Sequence, residues 1–390
     1  MTKEIYLDNS ATTKISEEAL RIYNEASSLN FGNPSSLHAL GSEAEKLIKN
    51  ARVSLLRALG ANGYRAIFTA SGSEANNLAI IGRALSKERY KRGAKIITTD
   101  GEHASVNAPL EMLEKLGFKI VKISTRDGKI DLEQLKEQMT PDTILVTVMM
   151  VNNETGALYD VKAVSDVMKR QAPEACLHVD CTQSFMKIPF TAKSIGADMI
   201  TVSSHKIHGP KGVGALVVNE SIFTKKGISP IIFGGGQEYG LRSGTENAPA
   251  IAAFGYAVES EYASLSQNEI KLRSLRDYLI EKLTSTPEFS EISITNPKSS
   301  APHILNITLP KIKSETMLHY LSSENIFVSS GSACSSNSQH KTSALVAYGR
   351  SENEADTSIR ISFSHDNEKE DLDRLCEALS SGISRLARIR

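Results

Sequence analysis

The chain has 390 residues, and its 45 Lys plus Arg balance 45 Asp plus Glu to a formal net charge of zero. That length exceeds one ordinary core and predicts two domains; charge without like-sign blocks gives no handle for nucleic acid or an anionic membrane. Hydrophobic content of 40% and charged content of 23% exclude a disordered or fibrous chain.

The opening residues 1–14 (MTKEIYLDNSATTK) lack the apolar run of a signal peptide. The longest apolar run, 144–151, falls far short of the roughly 18–20 residues of a membrane helix. A soluble, cytoplasmic protein is expected. Cys176, Cys181, Cys334 and Cys376 form no C-x-x-C pair, which removes zinc-knuckle and thioredoxin-type readings. A reducing compartment keeps them as thiols.

From residue 64, short β-branched runs alternate with helical patterns. Strands are predicted at 64–69, 95–99, 118–123, 143–151, 176–181, 198–203 and 213–218, with amphipathic stretches between them; Leu78, Ile81 and Leu85, for example, recur at helical spacing. This alternation predicts an α/β fold around a mostly parallel, seven-stranded sheet, with ligands at the carboxyl ends of its strands. The last two runs are joined only by a turn-rich loop, so one edge is expected to be antiparallel. Beyond about residue 250 a long helical pattern (252–284) precedes short strand-like runs at 304–309, 326–329 and 359–363 and a helix from Lys369. This reads as a smaller α/β domain, with 296–302 as a surface loop.

Polar clusters fall at the ends of the predicted strands. Residues 70–74 (ASGSE) open a helix, which suits an anion site and equally a capping box from Ser71 to Glu74. His103 follows strand 95–99; alone, such a histidine is more often a satisfied surface or core residue. Asn152–Gly156 (NNETG) is by itself a turn. Asp180 lies in a largely apolar strand, where a carboxylate is costly unless a cation faces it: an Arg, a Lys or a protonated heterocycle. Strand 198–203 leads into 203–212 (SSHKIHGPKG). If that segment stays extended, Ser203 and His205 face one way and Lys206 the other, with a type I turn at 209–212. The glycine-rich run 234–247 matches neither nucleotide fingerprint. Pyridoxal phosphate answers these demands together. Lys206 would join its aldehyde, Asp180 would keep its ring nitrogen protonated, and residues 70–74 with Ser203 and His205 would take its phosphate.

Residues 6–13 (YLDNSATT), 31–38 (FGNPSSLH), 71–77 (SGSEANN), 102–103 (EH), 151–156 (VNNETG), 178–183 (HVDCTQ), 203–216 (SSHKIHGPKGVGAL), 234–247 (GGGQEYGLRSGTEN), 331–335 (GSACS) and 358–360 (SIR) span nearly the whole chain. Together they resemble the cysteine desulfurases. These are pyridoxal-phosphate enzymes of fold type I, class-V aminotransferase-like, that take sulfur from L-cysteine for iron–sulfur cluster assembly or tRNA thiolation. The resemblance implies a large cofactor-binding domain at 14–255 and a small domain of 1–13 with 256–390 that carries a catalytic cysteine loop. It implies that Lys206 carries the cofactor, His103 stacks on its ring and moves protons, Asp180 pairs with the ring nitrogen, and Gln183 bonds its phenolic oxygen. Gly72, Ser73, Ser203 and His205 would hold the phosphate, joined by Thr245 from the second subunit of an obligate homodimer. Asn153, beside the cofactor, and Arg360 would receive L-cysteine, Arg360 as a planar fork for its carboxylate.

Cys334 would be the nucleophile that becomes a persulfide and delivers sulfur to an acceptor or scaffold protein. No resident metal is implied, though Cys334 would suit transient ligation of an iron–sulfur unit. The run 332–342 (SACSSNSQHKT) holds no large apolar side chain, so its thiol reads as exposed and mobile. Cys181 and Cys376 read as packing residues. The GSACS loop points to direct delivery to partner proteins. An aminotransferase or a selenocysteine lyase would use the same cofactor. Ser10, Ser73, the pair Phe185–Met186, the proline-free run after Cys334 and the glycine-free 362–366 depart from the family pattern.

Overall fold

The computed structural model describes residues 3–86, 93–309, 311–330 and 344–386. After a short β1 (Ile5–Tyr6), the chain lays down β2 (Tyr64–Thr69), β3 (Lys95–Thr99), β4 (Lys119–Ile123), β5 (Thr143–Met149), β6 (Cys176–Asp180), β7 (Met199–Ser203) and β8 (Gly214–Asn219). The seven strands from β2 onward form one sheet in the order β2-β8-β7-β6-β5-β3-β4. Every position of β5, β6 and β7 is buried, because helices cover both faces; such strands read as continuous apolar runs rather than alternating ones. β8 is antiparallel to both neighbours, β7 and β2. The antiparallel strand is therefore not the edge. β2, laid down about 145 residues earlier, pairs outside it, a long-range choice that local patterning does not encode.

One face packs under the helices Ala39–Ala58 and Ala248–Ser285, the other under Gly72–Ala84 and Ala104–Lys115. The long helix starts where Asn247 caps the Ala250 amide and a proline occupies its first turn. A Cβ on its Gly255 would stand 2.6 Å from the Ala51 Cβ, so glycine sets the close crossing of the two helices. Phe254 beside it is buried edge-on against Phe68; its removal would cost about 3–5 kcal/mol.

The same long helix enters a second core through Leu272, Leu275, Leu279 and Leu283. There β12 (Ser329–Ser330), β13 (Ser358–Ser362), β10 (Ile304–Thr308) and β9 (Ser293–Thr295) form an antiparallel sheet, and β1 pairs in parallel with β11 (Ile326–Phe327). Ile5 and Leu7 belong to this core, so the segment around β1 packs against residues from the far end of the chain. The stretch 296–302 is not a free surface loop. Leu158 donates its N–H to Ser299 and Ala301 donates to Gly156, docking it onto the turn after β5. No helix among the described residues is long and apolar enough to cross a membrane.

Candidate active site

A cavity of about 430 Å³ opens at the carboxyl ends of β5, β6 and β7, lined also by Ser329 and Arg360 of the smaller antiparallel sheet. Parallel strands bring their last residues to one edge, which is why side chains far apart in sequence meet there. Gly72, Ser73, His103, Asn153, Asp180, Gln183, Ser203, His205, Lys206 and Arg360 all line it. Thr245 does not; it is exposed and borders a separate cavity of about 160 Å³. Cys334 lies outside the described residues.

Asp180 ends β6 and is 6% exposed. Its Oδ2 accepts from Asn76 Nδ2 at 2.7 Å and its Oδ1 from the Thr182 N–H at 2.9 Å. Both donors are neutral, leaving its charge for an incoming cation. Asn76 Nδ2 also donates to Ser105 Oγ at 2.8 Å, and Ser105 Oγ lies 2.9 Å from His103 Nδ1. His103 Nδ1 accepts from the Ser105 backbone N–H too, at 3.1 Å. An acceptor at Nδ1 fixes the neutral tautomer with its proton on Nε2. Burial holds the His103 pKa below the ordinary histidine value; Asp180 works against that and Lys206 with it.

At the start of the helix Gly72–Ala84, Ser71 caps the Glu74 N–H. The Glu74 carboxylate does not close the expected box on Ser71; it reaches the Ala70 N–H at 3.0 Å and Arg242 at 2.9 Å. A Cβ at Gly72 would sit 3.2 Å from the Ser203 Cβ, so glycine keeps the floor of this corner open. Ser203 Oγ is buried there with no hydrogen-bond partner, and a buried hydroxyl of that kind calls for a ligand oxygen.

The segment after β7 is not extended. A 3-10 turn at Ser204–Lys206 turns Ser203, His205 and Lys206 toward the same cavity instead of opposite faces. Only residues 211–212 bend, and no hydrogen-bonded turn forms over 209–212 where a type I turn was expected. Burial pushes His205 down to about 4, helped by the charges of Lys206 and Lys211. Lys206 Nζ donates to the carbonyls of Ser10 (2.5 Å) and Ala11 (2.8 Å), and Gln183 Nε2 also donates to Ser10 O at 2.9 Å. The N-terminal segment thus positions both side chains through its backbone, so the departure at Ser10 leaves these contacts intact. Phe185 and Met186, two further departures, are buried in the main core, away from the cavity lining.

Arg360 extends from β13. Its Nη2 bonds Asp8 at 2.9 Å and its Nη1 the Asn153 carbonyl at 3.0 Å, while its buried Nε has no partner. Burial raises the Asp8 carboxyl, opposed by Arg360 and Lys206. Beside His103, Glu102 is buried, accepting from Thr99 Oγ1 (2.6 Å) and the Met149 N–H (3.0 Å); burial pushes its carboxyl up to about 8. Burial also raises the Cys181 thiol strongly and the Cys376 thiol to about 11, which suits packing roles.

Asn76, Ser105, Thr182, Ser10 and Asp8 also line the cavity and had no assigned role in the sequence. Asn76 was within reach: four residues after Gly72, it lies on the same helical face.

Residues 5–375 match the aminotransferase class-V family. A relative from Archaeoglobus fulgidus, named cysteine desulfurase IscS 1, is 37% identical over 384 residues, 98% of this chain and 97% of its own. Among solved structures, a NifS-like protein aligns with a TM-score of 0.89 at 32% identity, over 98% of this chain and 100% of that one. SspA, solved in complex with cysteine, aligns with a TM-score of 0.78 at 31% identity, over 93% and 99%. A match that runs from β1 into the last helix takes in both cores and every element around the cavity, and by it the chain belongs to the aminotransferase class-V family.

Proposed function

We propose that this protein is a pyridoxal-phosphate-dependent cysteine desulfurase, converting L-cysteine to L-alanine and leaving the sulfur as a persulfide on Cys334. The observation that carries the reading is the convergence on one cavity of the Lys206 amine, the Asp180 carboxylate with only neutral donors, and the orphaned Ser203 hydroxyl at a helix start. These fit the cofactor's aldehyde, ring nitrogen and phosphate in turn. When bound, pyridoxal phosphate supplies a sink for the charge that develops at the substrate α-carbon.

The chain's own groups do the rest. Arg360 presents its planar fork to the substrate carboxylate, with Asp8 and the Asn153 carbonyl fixing its plane. Lys206 moves the proton at the α-carbon. His103, neutral and carrying its proton on Nε2, exchanges protons beside it. Cys334 as thiolate forms the S–S bond to the substrate sulfur while the C–S bond breaks and its electron pair stays with carbon.

The protein works as a homodimer in this reading, with Thr245 completing the phosphate site of the partner. Support comes from its exposure outside its own cavity and from exposed apolar side chains such as Phe31, Leu37 and Phe233. The division at residue 255 into a cofactor domain and a smaller domain carrying the cysteine loop belongs to the same proposal. So does delivery in the cytoplasm to an acceptor protein for iron–sulfur assembly or thiolation.

The test is turnover of L-cysteine by the purified protein supplied with pyridoxal phosphate. With a thiol reductant added to release the persulfide sulfur as sulfide, alanine and sulfide should form in equal amounts, and a visible absorption band should be absent from Lys206→Ala. Unimpaired alanine formation by Cys334→Ala would reject the persulfide route in favour of a lyase chemistry, and a 2-oxo acid in place of alanine would point to a transaminase.

A further inference from the structure

Two residues past Lys206, three side chains from separate parts of the chain come together, none of them lining the cofactor cavity. His208 follows the 3-10 turn after β7, Glu261 lies on the long helix, and His365 lies between β13 and the last helix. One ligand atom from each lies within 4.8 Å of the others. We infer that His208, Glu261 and His365 bind a divalent transition-metal ion of the zinc class, which ties together the segment after β7, the long helix and the segment after β13.

The donor set is the first reason. Two imidazoles and one carboxylate suit Zn²⁺, whose bonds of about 2.0–2.2 Å place tetrahedral ligands roughly 3.4 Å apart. The observed cluster, with ligand atoms up to 4.8 Å apart, needs to contract by up to about 1.4 Å to reach that. His365, about one-third exposed, has the room to make the adjustment and leaves a path for entry.

The second reason is an orphaned buried atom on a member of the cluster. His208 is 5% exposed, and its Nε2 has no hydrogen-bond partner. Its Nδ1 lies 3.1 Å from the Lys14 carbonyl. A carbonyl only accepts, so Nδ1 carries the proton and Nε2 presents a lone pair. That arrangement, one nitrogen anchored on a backbone carbonyl and the other free, is how metal-binding histidines are oriented. The other two have outer partners as well. Asn268 Nδ2 donates to Glu261 Oε2 at 3.4 Å, and the His365 Nε2 stands 3.7 Å from Asp366 while its Nδ1 stands 3.9 Å from Glu261. Glu261 is 6% exposed and brings the negative charge that a buried cation requires. Lys187, buried nearby, competes for that carboxylate.

The probe is Zn²⁺ alone, added to chelator-stripped, cofactor-loaded protein and followed by equilibrium dialysis and metal analysis. Cys334→Ser serves as the background, so that the loop thiol contributes nothing. One equivalent should be retained at micromolar Zn²⁺, and His365→Ala and Glu261→Gln should each weaken retention at least tenfold. His365 is partly exposed, so its variant tests the site without opening the core, and its melting temperature reports its fold. X-ray absorption on the zinc-loaded background protein should show nitrogen and oxygen neighbours with two imidazoles. No stoichiometric uptake, uptake indifferent to both variants, or a sulfur shell would each overturn the site.

Discussion

Asn76 joins Asp180 to His103. Its amide donates to Asp180 Oδ2 at 2.7 Å and to Ser105 Oγ at 2.8 Å, and that hydroxyl meets His103 Nδ1 at 2.9 Å. One amide, held on the first turns of a helix, sets the direction of a carboxylate on one strand and the tautomer of an imidazole after another.

Asn76→Ala should lower kcat for alanine formation by about 10–100-fold, from the loss of a charge-assisted bond and its network. The acid limb of the pH–rate profile should move as well, because His103 loses its fixed tautomer. A variant that keeps the wild-type rate and profile would leave Asn76 a merely structural residue.

Arg360→Lys should raise KM for L-cysteine by about tenfold or more, with a smaller effect on kcat. A lysine is a point charge and cannot bond Asp8, the Asn153 carbonyl and a substrate carboxylate at once in one plane. Steady-state kinetics separate the two constants.

Glu102 gives a stability slope of defined sign. Its carboxyl sits at about 8 when folded against an ordinary 4.5, so the folded chain keeps a proton that the unfolded chain releases. The stabilisation is full below about pH 4.5 and is lost as pH rises toward 8, a loss of a few kcal/mol. Melting temperatures measured across that range should fall less steeply for Glu102→Gln, which stays neutral throughout.

His178 acts in the opposite direction. It is fully buried between Thr147 and Thr201, and burial pushes it down to about 4. The unfolded chain takes up a proton near pH 6.5 that the folded one refuses, so stability is full above 6.5 and falls as pH drops toward 4. The decrement is on the order of 3 kcal/mol. Replacing His178 by Gln should flatten the acid side of the melting curve measured against pH.

The sequence alone determined the strands, because segments buried on both faces must be apolar and bounded by turn residues. All seven runs of the large sheet are strands within two residues of their expected ends. It also determined which side chains of the large sheet meet at the cavity, since parallel strands deliver whatever ends or follows them to one edge; Lys206, Asp180 and His103 were readable for that reason, whereas Arg360, on an antiparallel strand of the second sheet, was named only through the family resemblance. Only the tertiary structure decided the rest. It put β2 outside β8 and docked 296–302 onto the turn after β5. It curled the segment after β7 so that His205 and Lys206 share one cavity. It placed Asn76 between Asp180 and Ser105, and gathered His208, Glu261 and His365. Each of these depends on contacts between residues distant in the chain, whose energies come from the packed geometry and leave no periodic trace in the sequence.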